Sequence, residues 1–536
     1  MKRPLLTTAL LVAVPLGWWL RAQIAAVVPP LASNLPPGAL VYLEAKDFGK
    51  LLGEWNNSTE KAKWVGSPNY AELSRSRLIG RLQQAQGEFE KAAGVSPEMK
   101  LLQQVAGTQS AFAFYNIGAL KFVYLTHIGH QAIESGDLWK QRAQYQPREA
   151  AGIAFYIKQD QGTGRTLAFA TKDDVFVMTT DESLMASTLA LLAGQPAPSL
   201  AKEEWFETLT TGKPQGDLRL VYDLRTTAKT PQFRTYWIQE NETELKEYAT
   251  GVSDLFETSA GFEEHRILVR AQQSAAPAAS SDLASLVSTV TPGDSLYRAW
   301  SRPTKNQLSA ALRQVIYGDA PPPNPFVGQT APQASAEFSH PSYSPSLETH
   351  INQPPVSKDL SKPIDAVLDA ITAMDPTALL HVQSTVALPD GVFVVPESAV
   401  LIACAHADAT AAQTALRDML GAALESGGLD PLIVRVQGNV LELMRGQGLI
   451  GPSSAQAPST TEIYAAGYNH AAEWPKYTRL FRLLDTQTSG GPQGTPAFFS
   501  TNVQSLGDAL SRLQRASLER TDNGNGIAET VTYEMK

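Results

Sequence analysis

Residues 35–55, LPPGALVYLEAKDFGKLLGEW, change hydrophobic period within a few positions. After the proline pair, Ala39–Ala45 reads as a short apolar strand. Asp47 then stands where it can cap a helix carrying Phe48, Leu51, Leu52 and Trp55 on one face. A longer helical pattern spans about Tyr70–Ala93, with Leu73, Leu78, Leu82, Ala85 and Phe89 at its apolar positions. Ser96, Met99, Leu101 and Leu102 suggest a short helix. SAFAFYN and KFVYLTHI alternate as a half-buried hairpin joined around Ile117–Gly118. IAFYIKQDQGTGRTLAFATKDDVFVMTTDESLMASTLALLAG reads as three strands with turns at QGTG and KDD, then a helix.

Parts of this pattern recur. Pro, small residues and an apolar strand return at TPGDSLYRAW and DPTALLHVQS. DDVFVMTTDESLMASTLALLAG, from Asp173, resembles SAVLIACAHADATAAQTALRDMLGAAL, from Ser398. In each, a strand leads to an Asp (Asp181, Asp408) and an Ala/Leu-rich helix. DLFETSAGFEEHRILVRAQ and ASLERTDNGNGIAETVTYEM both read as strand, turn, strand. The second follows a helical pattern of Val503, Leu506, Leu510 and Leu513. The expected fold class is α+β: two related units of mainly antiparallel sheet with packed helices, after one N-terminal membrane helix. The units are placed at 38–275 and 291–536, joined by a small-residue linker at 276–290. A Pro-rich loop occupies about 319–356 and a second loop 451–462.

The leader, residues 1–28, carries Lys2, Arg3 and Arg21 and no acid. Its uncharged run Leu5–Leu20 has 16 residues, about 24 Å as a helix, short of a bilayer core of about 30 Å. Ile24–Val28 extend it, Arg21 can snorkel, and Trp18 and Trp19 suit an interface. A cleaved signal peptide shares the basic start but needs a small-residue cleavage site, and none stands out. Under both readings Lys2 and Arg3 stay inside and the body is exported. The expectation is a single-pass membrane anchor with a periplasmic body. Pro29, Pro30, Pro36 and Pro37 are read as a stiff spacer over 29–37.

Composition narrows the functional classes. The chain has 536 residues, 43% hydrophobic and 18% charged, with a formal net charge of -9. Because the leader is basic, the rest is more acidic still, which argues against nucleic-acid binding, where clustered Lys and Arg neutralise phosphates. The single cysteine, Cys404, lies in the apolar VLIACAHAD and is expected to be a buried thiol.

Each short motif has a structural reading. Gly446–Gly451 spells G-x-G-x-x-G, but Pro452 and serines follow where a dinucleotide site opens a helix. Ser58 and Lys61 have S-x-x-K spacing without the companion S-D-N and K-T-G elements. His127 and His130 form H-x-x-H with no nearby Cys or acidic cluster. Asp522–Gly526 lacks the oxygen-bearing side chains of a calcium loop and suits a hairpin turn. Pro214 follows Gly212 and Lys213, so there is no phosphate loop. Glu203–Glu204 and Glu263–Glu264 are sequence neighbours that diverge in space. Trp55, Trp64, Tyr70 and Tyr115 are assigned to packing rather than to a groove. No catalytic, cofactor-binding or metal-ligating residue is assigned, and no cofactor.

Three stretches, LPPGALVYLEAKDFGKLL, FVMTTDESLMASTLALLAG and the closing TNVQSLGDALSRLQRASLERTDNGNGIAETVTYEMK, resemble an uncharacterised family of bacterial envelope proteins, the domain of unknown function numbered 3352. The resemblance implies a membrane-attached, exported α+β protein and no catalytic residues. The expected function is a non-enzymatic binding or scaffolding module of the envelope. Its partners would be the membrane, through the leader, and an envelope protein, with no nucleic acid. The alternatives are an extracytoplasmic hydrolase whose site is assembled from distant residues, and a carrier of an apolar ligand. A buried carboxylate or His pair in a pocket favours the first. A continuous apolar cavity of several hundred Å3 favours the second.

Overall fold

The apolar run after Gly38 forms β1 (Val41–Ala45), and Asp47 starts the next helix as its sequence suggests, its Oδ1 accepting the Lys50 N–H at 2.8 Å. The computed structural model describes residues 30–231, 246–290, 296–317, 361–387, 394–405, 414, 432–445, 449, 461–487 and 498–536. The leader 1–29, the Pro-rich 319–356, most of the G-x-G-x-x-G motif and the helix expected after Asp408 lie outside the described residues. The fold is α+β. Two units divide the chain, Met1–Asn56 with Arg77–Asp254, and Asn57–Ser76 with Leu255–Lys536.

The first unit adds β2 (Ser110–Asn116), β3 (Lys121–His127), β4 (Gln146–Ala150), β5 (Ile153–Gln159), β6 (Thr166–Lys172), β7 (Val175–Thr179) and β8 (Leu218–Asp223). They pair antiparallel throughout, in the order β8–β1–β2–β3–β7–β6–β5–β4. One face carries a core of Leu101, Val105, Tyr124, Tyr145, Phe169 and Phe176. The helix Glu182–Leu192 buries Met185 and Leu189.

β9 (Tyr248–Thr258) runs across the division into β10 (Gly261–Arg270). The second unit continues with β11 (Leu296–Ser301), β12 (Pro376–Ala387), β13 (Val394–Cys404), β14 (Ile433–Gln437), β15 (Val440–Arg445), β16 (Tyr464–Asn469), β17 (Leu513–Asp522) and β18 (Gly526–Met535). Its order is β14–β15–β13–β12–β11–β16–β17–β18–β10, again antiparallel. Alternate residues feed two cores. Leu379, Val400 and Ile402 pack with helices Lys305–Tyr317 and Ser361–Ala373, while Ala378, Leu380 and Leu401 pack with helix Ser281–Val287. Strands covered on both faces read as continuous apolar runs, as ALLHV and AVLIAC do.

Several sequence expectations need correction. The helix expected over Tyr70–Ala93 is two, Pro68–Ser74 and Arg77–Ala93, and the first belongs to the second unit. The Ser74 hydroxyl donates to Ala71 O at 2.7 Å, one of the local bonds by which serine competes with helix continuation. Half of the expected linker is core: Leu283, Leu286 and Val287 share one helical face and are buried, behind a Ser280 cap on the Asp282 N–H. The helix expected through Leu513 ends at Ala509, and Leu513 opens β17, leaving Leu506 and Leu510 exposed. The two segments aligned as a repeat, around β7 and β13, occupy different places: β7 lies between β3 and β6, β13 between β12 and β15.

The expected spacer is likewise part of the body over its described residues. Leu31, Ala32, Leu35 and Pro36 are buried, with Leu31–Asn34 in a 3₁₀ turn. Glu44, also buried, accepts from Leu31 N at 3.4 Å, Tyr42 Oη at 2.6 Å and Gln109 Nε2 at 2.5 Å. Leu35 O accepts from Leu200 N at 2.8 Å, and Pro36 O from Tyr115 Oη at 2.8 Å. Three apolar residues in five outweigh the stiffness of the flanking prolines.

The cap at Asp181 gives a testable pH dependence. Its Oδ1 accepts the N–H groups of Ser183 and Leu184 at 2.9 and 3.1 Å, and Lys121 Nζ lies 2.5 Å from Oδ2. Burial pushes this carboxyl up, but the Lys121 ammonium and the Ser183 hydroxyl outweigh it and bring the pKa down to about 2. A depressed carboxyl stabilises the fold above its ordinary titration range, and this is lost as pH falls toward 2. Asp181→Ala is expected to cost about 1–2 kcal/mol at pH 7. Urea denaturation should show the difference from wild type shrinking between pH 4 and pH 2.

Candidate functional site

The hairpin β2–β3 sets Phe112, Phe114 and Phe122 on one face, because cross-strand partners share a side and Phe114 faces Phe122. The Phe112 and Phe122 rings stack with centroids 5.0 Å apart, and Phe112 lies 5.6 Å from Phe114. Helix Arg77–Ala93 crosses this face with Leu82, Ala85, Phe89 and Ala92, spaced for one helical side. Helix Met99–Val105 closes the other wall with Leu101, Leu102 and Val105. Helices and hairpin share the core around Leu101, Val105 and Tyr124 but do not close over the phenylalanines. Between them lies an open cleft of about 390 Å3, lined also by Leu120, Tyr124 and Met178. Its volume falls within the range of small-ligand pockets, about 300–1,000 Å3. The three phenylalanines are only half-buried, and Leu82 and Leu102 are exposed at its mouth. Ala85 is small where a larger side chain would fill the gap.

The polar side chains of the lining are Gln86, Arg165, Thr166 and Thr180, with the Tyr124 hydroxyl bonded to Val105 O. Thr180 Oγ1 is occupied, donating to Leu120 O at 2.7 Å and accepting from Phe122 N at 3.2 Å. At one end stands Arg165. Its Nε donates to Glu88 Oε2 at 2.9 Å and its Nη1 to Ala119 O at 2.7 Å. The Arg165 guanidinium holds the Glu88 carboxyl below the usual carboxylate range. A second, polar cleft of about 420 Å3 lies across helix Met99–Val105, with Leu101 common to both. There Lys100 pairs with Asp137 at 2.7 Å, so those two charges neutralise one another.

The residues weighed from sequence occupy structural posts. Ser58 caps helix Thr59–Val65 by accepting Lys61 N at 3.1 Å. His127 Nδ1 sits 3.0 Å from Asp174, and His130 Nε2 sits 3.4 Å from Glu134. Among the described residues no group of three or more His, Cys, Asp or Glu is arranged to hold a metal ion. Asp522 receives Arg270 through two bonds of 2.6 and 2.7 Å, which lower its carboxyl, and accepts Gly524 N at 2.8 Å in the β17–β18 turn. Cys404 is buried in β13, and burial pushes its thiol up to about 11, the behaviour of an inert structural thiol. Glu203 accepts Gly38 N at 3.0 Å. Glu263 pairs with His265, and Glu264 with Arg266. Trp64 packs edge-on against Tyr70 at 5.9 Å.

One pairing has the elements of a nucleophile and base: His381 Nε2 lies 3.1 Å from Ser398 Oγ. Both are buried, on the neighbouring strands β12 and β13, and neither lines either cleft. The pair acts as a cross-strand link.

Sequence reasoning did not single out the cleft. Its phenylalanines alternate like any core hairpin. The available signal was the small Ala85 and Ala92 on the helix face opposite three aromatic rings.

No protein-family model matches the chain, and no curated protein matches it. Among solved structures, crystal form IV of a protein named TP0453 aligns at 13% identity, covering 46% of this chain and 81% of that chain, with a TM-score of 0.25. Crystal form III aligns at 13%, covering 49% and 86%, with a TM-score of 0.26. Likeness at that level establishes neither a shared fold nor a shared function. Among the described residues no helix is long and apolar enough to cross a membrane.

Proposed function

We propose that this chain is a non-enzymatic binding protein of the bacterial envelope whose first unit takes an apolar chain. The observation that carries this is the open cleft of about 390 Å3 floored by Phe112, Phe114 and Phe122. Half-exposed aromatic rings on the floor of an open cleft forgo burial worth roughly 1.5–3 kcal/mol for each ring fully covered. A hydrocarbon occupant supplies that cover. The hydrolase alternative has no comparable support, since neither cleft is lined by a histidine.

The reading keeps the exported, single-pass anchorage, supported by the basic start and apolar run of residues 1–28. It also keeps an internal duplication. The order β8–β1–β2–β3–β7–β6 parallels β16–β11–β12–β13–β15–β14, which supports a repeated unit with β3 equivalent to β13.

Photolabelling tests the cleft. The full chain in amphipol is irradiated with hexadecanol bearing a terminal diazirine, and labelled peptides are mapped. Label is expected on peptides covering 82–102 and 112–124. Ala85→Trp, which fills the gap, should weaken labelling about tenfold, equivalent to some 1.4 kcal/mol. Label spread evenly over both units, or unchanged by Ala85→Trp, overturns the reading.

A further inference from the structure

We infer that the occupant of the cleft is an anionic single-chain amphiphile, its hydrocarbon over the phenylalanine floor and its charged head on Arg165. This rests on the proposed binding of an apolar chain and adds the head group. The cleft is apolar along its floor and polar at one end, so it is matched to a molecule of the same asymmetry. Of the Arg165 donors, Nε serves Glu88 and Nη1 serves Ala119 O, while Nη2 makes no hydrogen bond among the described residues, although Arg165 lines the cleft. A guanidinium is a rigid fork suited to carboxylate and phosphate oxygens, and it stays charged at every physiological pH. Its ion pair with Glu88 is partly exposed, each side chain about a quarter accessible, so a second anion can share the fork without stripping a buried charge. Thr180, another polar group of the lining, already spends its proton on Leu120 O and accepts from Phe122 N, so it has no donor left for a head group.

The chemistry fits either a fatty acid or a phosphate-headed single-chain lipid, and competition separates them. Hexadecanoate, hexadecyl phosphate and hexadecanol compete against the diazirine probe on the full chain in amphipol. Either or both anions should compete about tenfold better than the alcohol, the scale of one charge-assisted hydrogen bond. Whichever anion leads identifies the head. Arg165→Gln should bring the anions down to the level of the alcohol measured on the same variant. Glu88→Gln should move the other way and tighten the anions by several-fold, because the guanidinium is then shared with no protein carboxylate. A merely structural role for the Glu88–Arg165 pair predicts weaker binding in both variants. If Arg165→Gln fails to fold, the sign of the Glu88→Gln effect decides. Alcohol and anions competing equally, or an anion preference that survives Arg165→Gln, overturns the head-group assignment and leaves the apolar cleft standing. Failure of all three to compete, with no label in the cleft, removes the cleft reading and the head group with it.

Discussion

Asp254→Ala is expected to lower the stability of the protein by about 3–5 kcal/mol, the cost of leaving a charge buried without its partner. Asp254 on β9 and Arg219 on β8 are both buried, with side chains 6% and 5% accessible. Arg219 Nε and Nη2 reach the carboxylate at 2.7 and 2.9 Å. Asp254 also accepts Gly216 N at 2.8 Å, and Arg219 Nη2 donates to Pro214 O at 3.0 Å. The pair therefore fastens the 214–216 loop as well as two strands. Removing the acid takes the bidentate partner from a buried guanidinium and frees the loop. Urea denaturation should give a lower midpoint with an unchanged slope. The double variant Arg219→Met with Asp254→Leu should recover most of the loss, because the stranded guanidinium is then gone as well. A loss below about 1 kcal/mol, the range of a surface pair, would refute this account.

Gly107→Ala should cost about 3 kcal/mol through overpacking against a wall that cannot yield. A Cβ at this position falls 2.0 Å from His127 O and 2.3 Å from Thr126 Oγ1. The obstacle is backbone, held by Thr108 N donating to His127 O at 2.9 Å. On its other side Gly107 O accepts Gly49 N at 2.9 Å, which ties the start of the Phe48 helix to the sheet edge. Moving the loop to admit a methyl breaks one of these contacts. Thermal unfolding checks the size, and amide exchange at Gly49 and Thr108 should show which contact gives way. A variant as stable as wild type would mean that the loop has room the structure denies it.

The sequence reveals most where one face is wet and little where polarity is inverted. The β2–β3 hairpin and β5 follow from alternation, while β6 and β7 are legible as short apolar runs between turns. β8 misleads. In LRLVYD the leucines suggest the buried side, yet Arg219 and Val221 are buried and Leu218 and Leu220 are only half-covered. The bidentate partner that accommodates the buried guanidinium, Asp254, lies 35 residues on. β4, QPREA, has no apolar alternation to read because four of its five residues are exposed. The helix Ser281–Val287 hides in a stretch of small residues, betrayed only by three aliphatic positions at helical spacing. The cleft is the least legible feature. Its lining is indistinguishable from a core until the separation of helix and sheet is known, and no local pattern encodes that distance. Arg165 follows the QGTG turn with no local feature in the sequence to set it apart.

The seating of Leu31 and Leu35 inside the first unit sets a mechanical limit on the whole molecule. Between Val28 and Leu31 only Pro29 and Pro30 are left as a leash, at most about 11 Å when fully drawn out. With residues 1–28 in a bilayer, the face that holds the 3₁₀ turn cannot rise farther than that from the head groups. An anchored first unit would then keep that face within one short tether of the lipid surface.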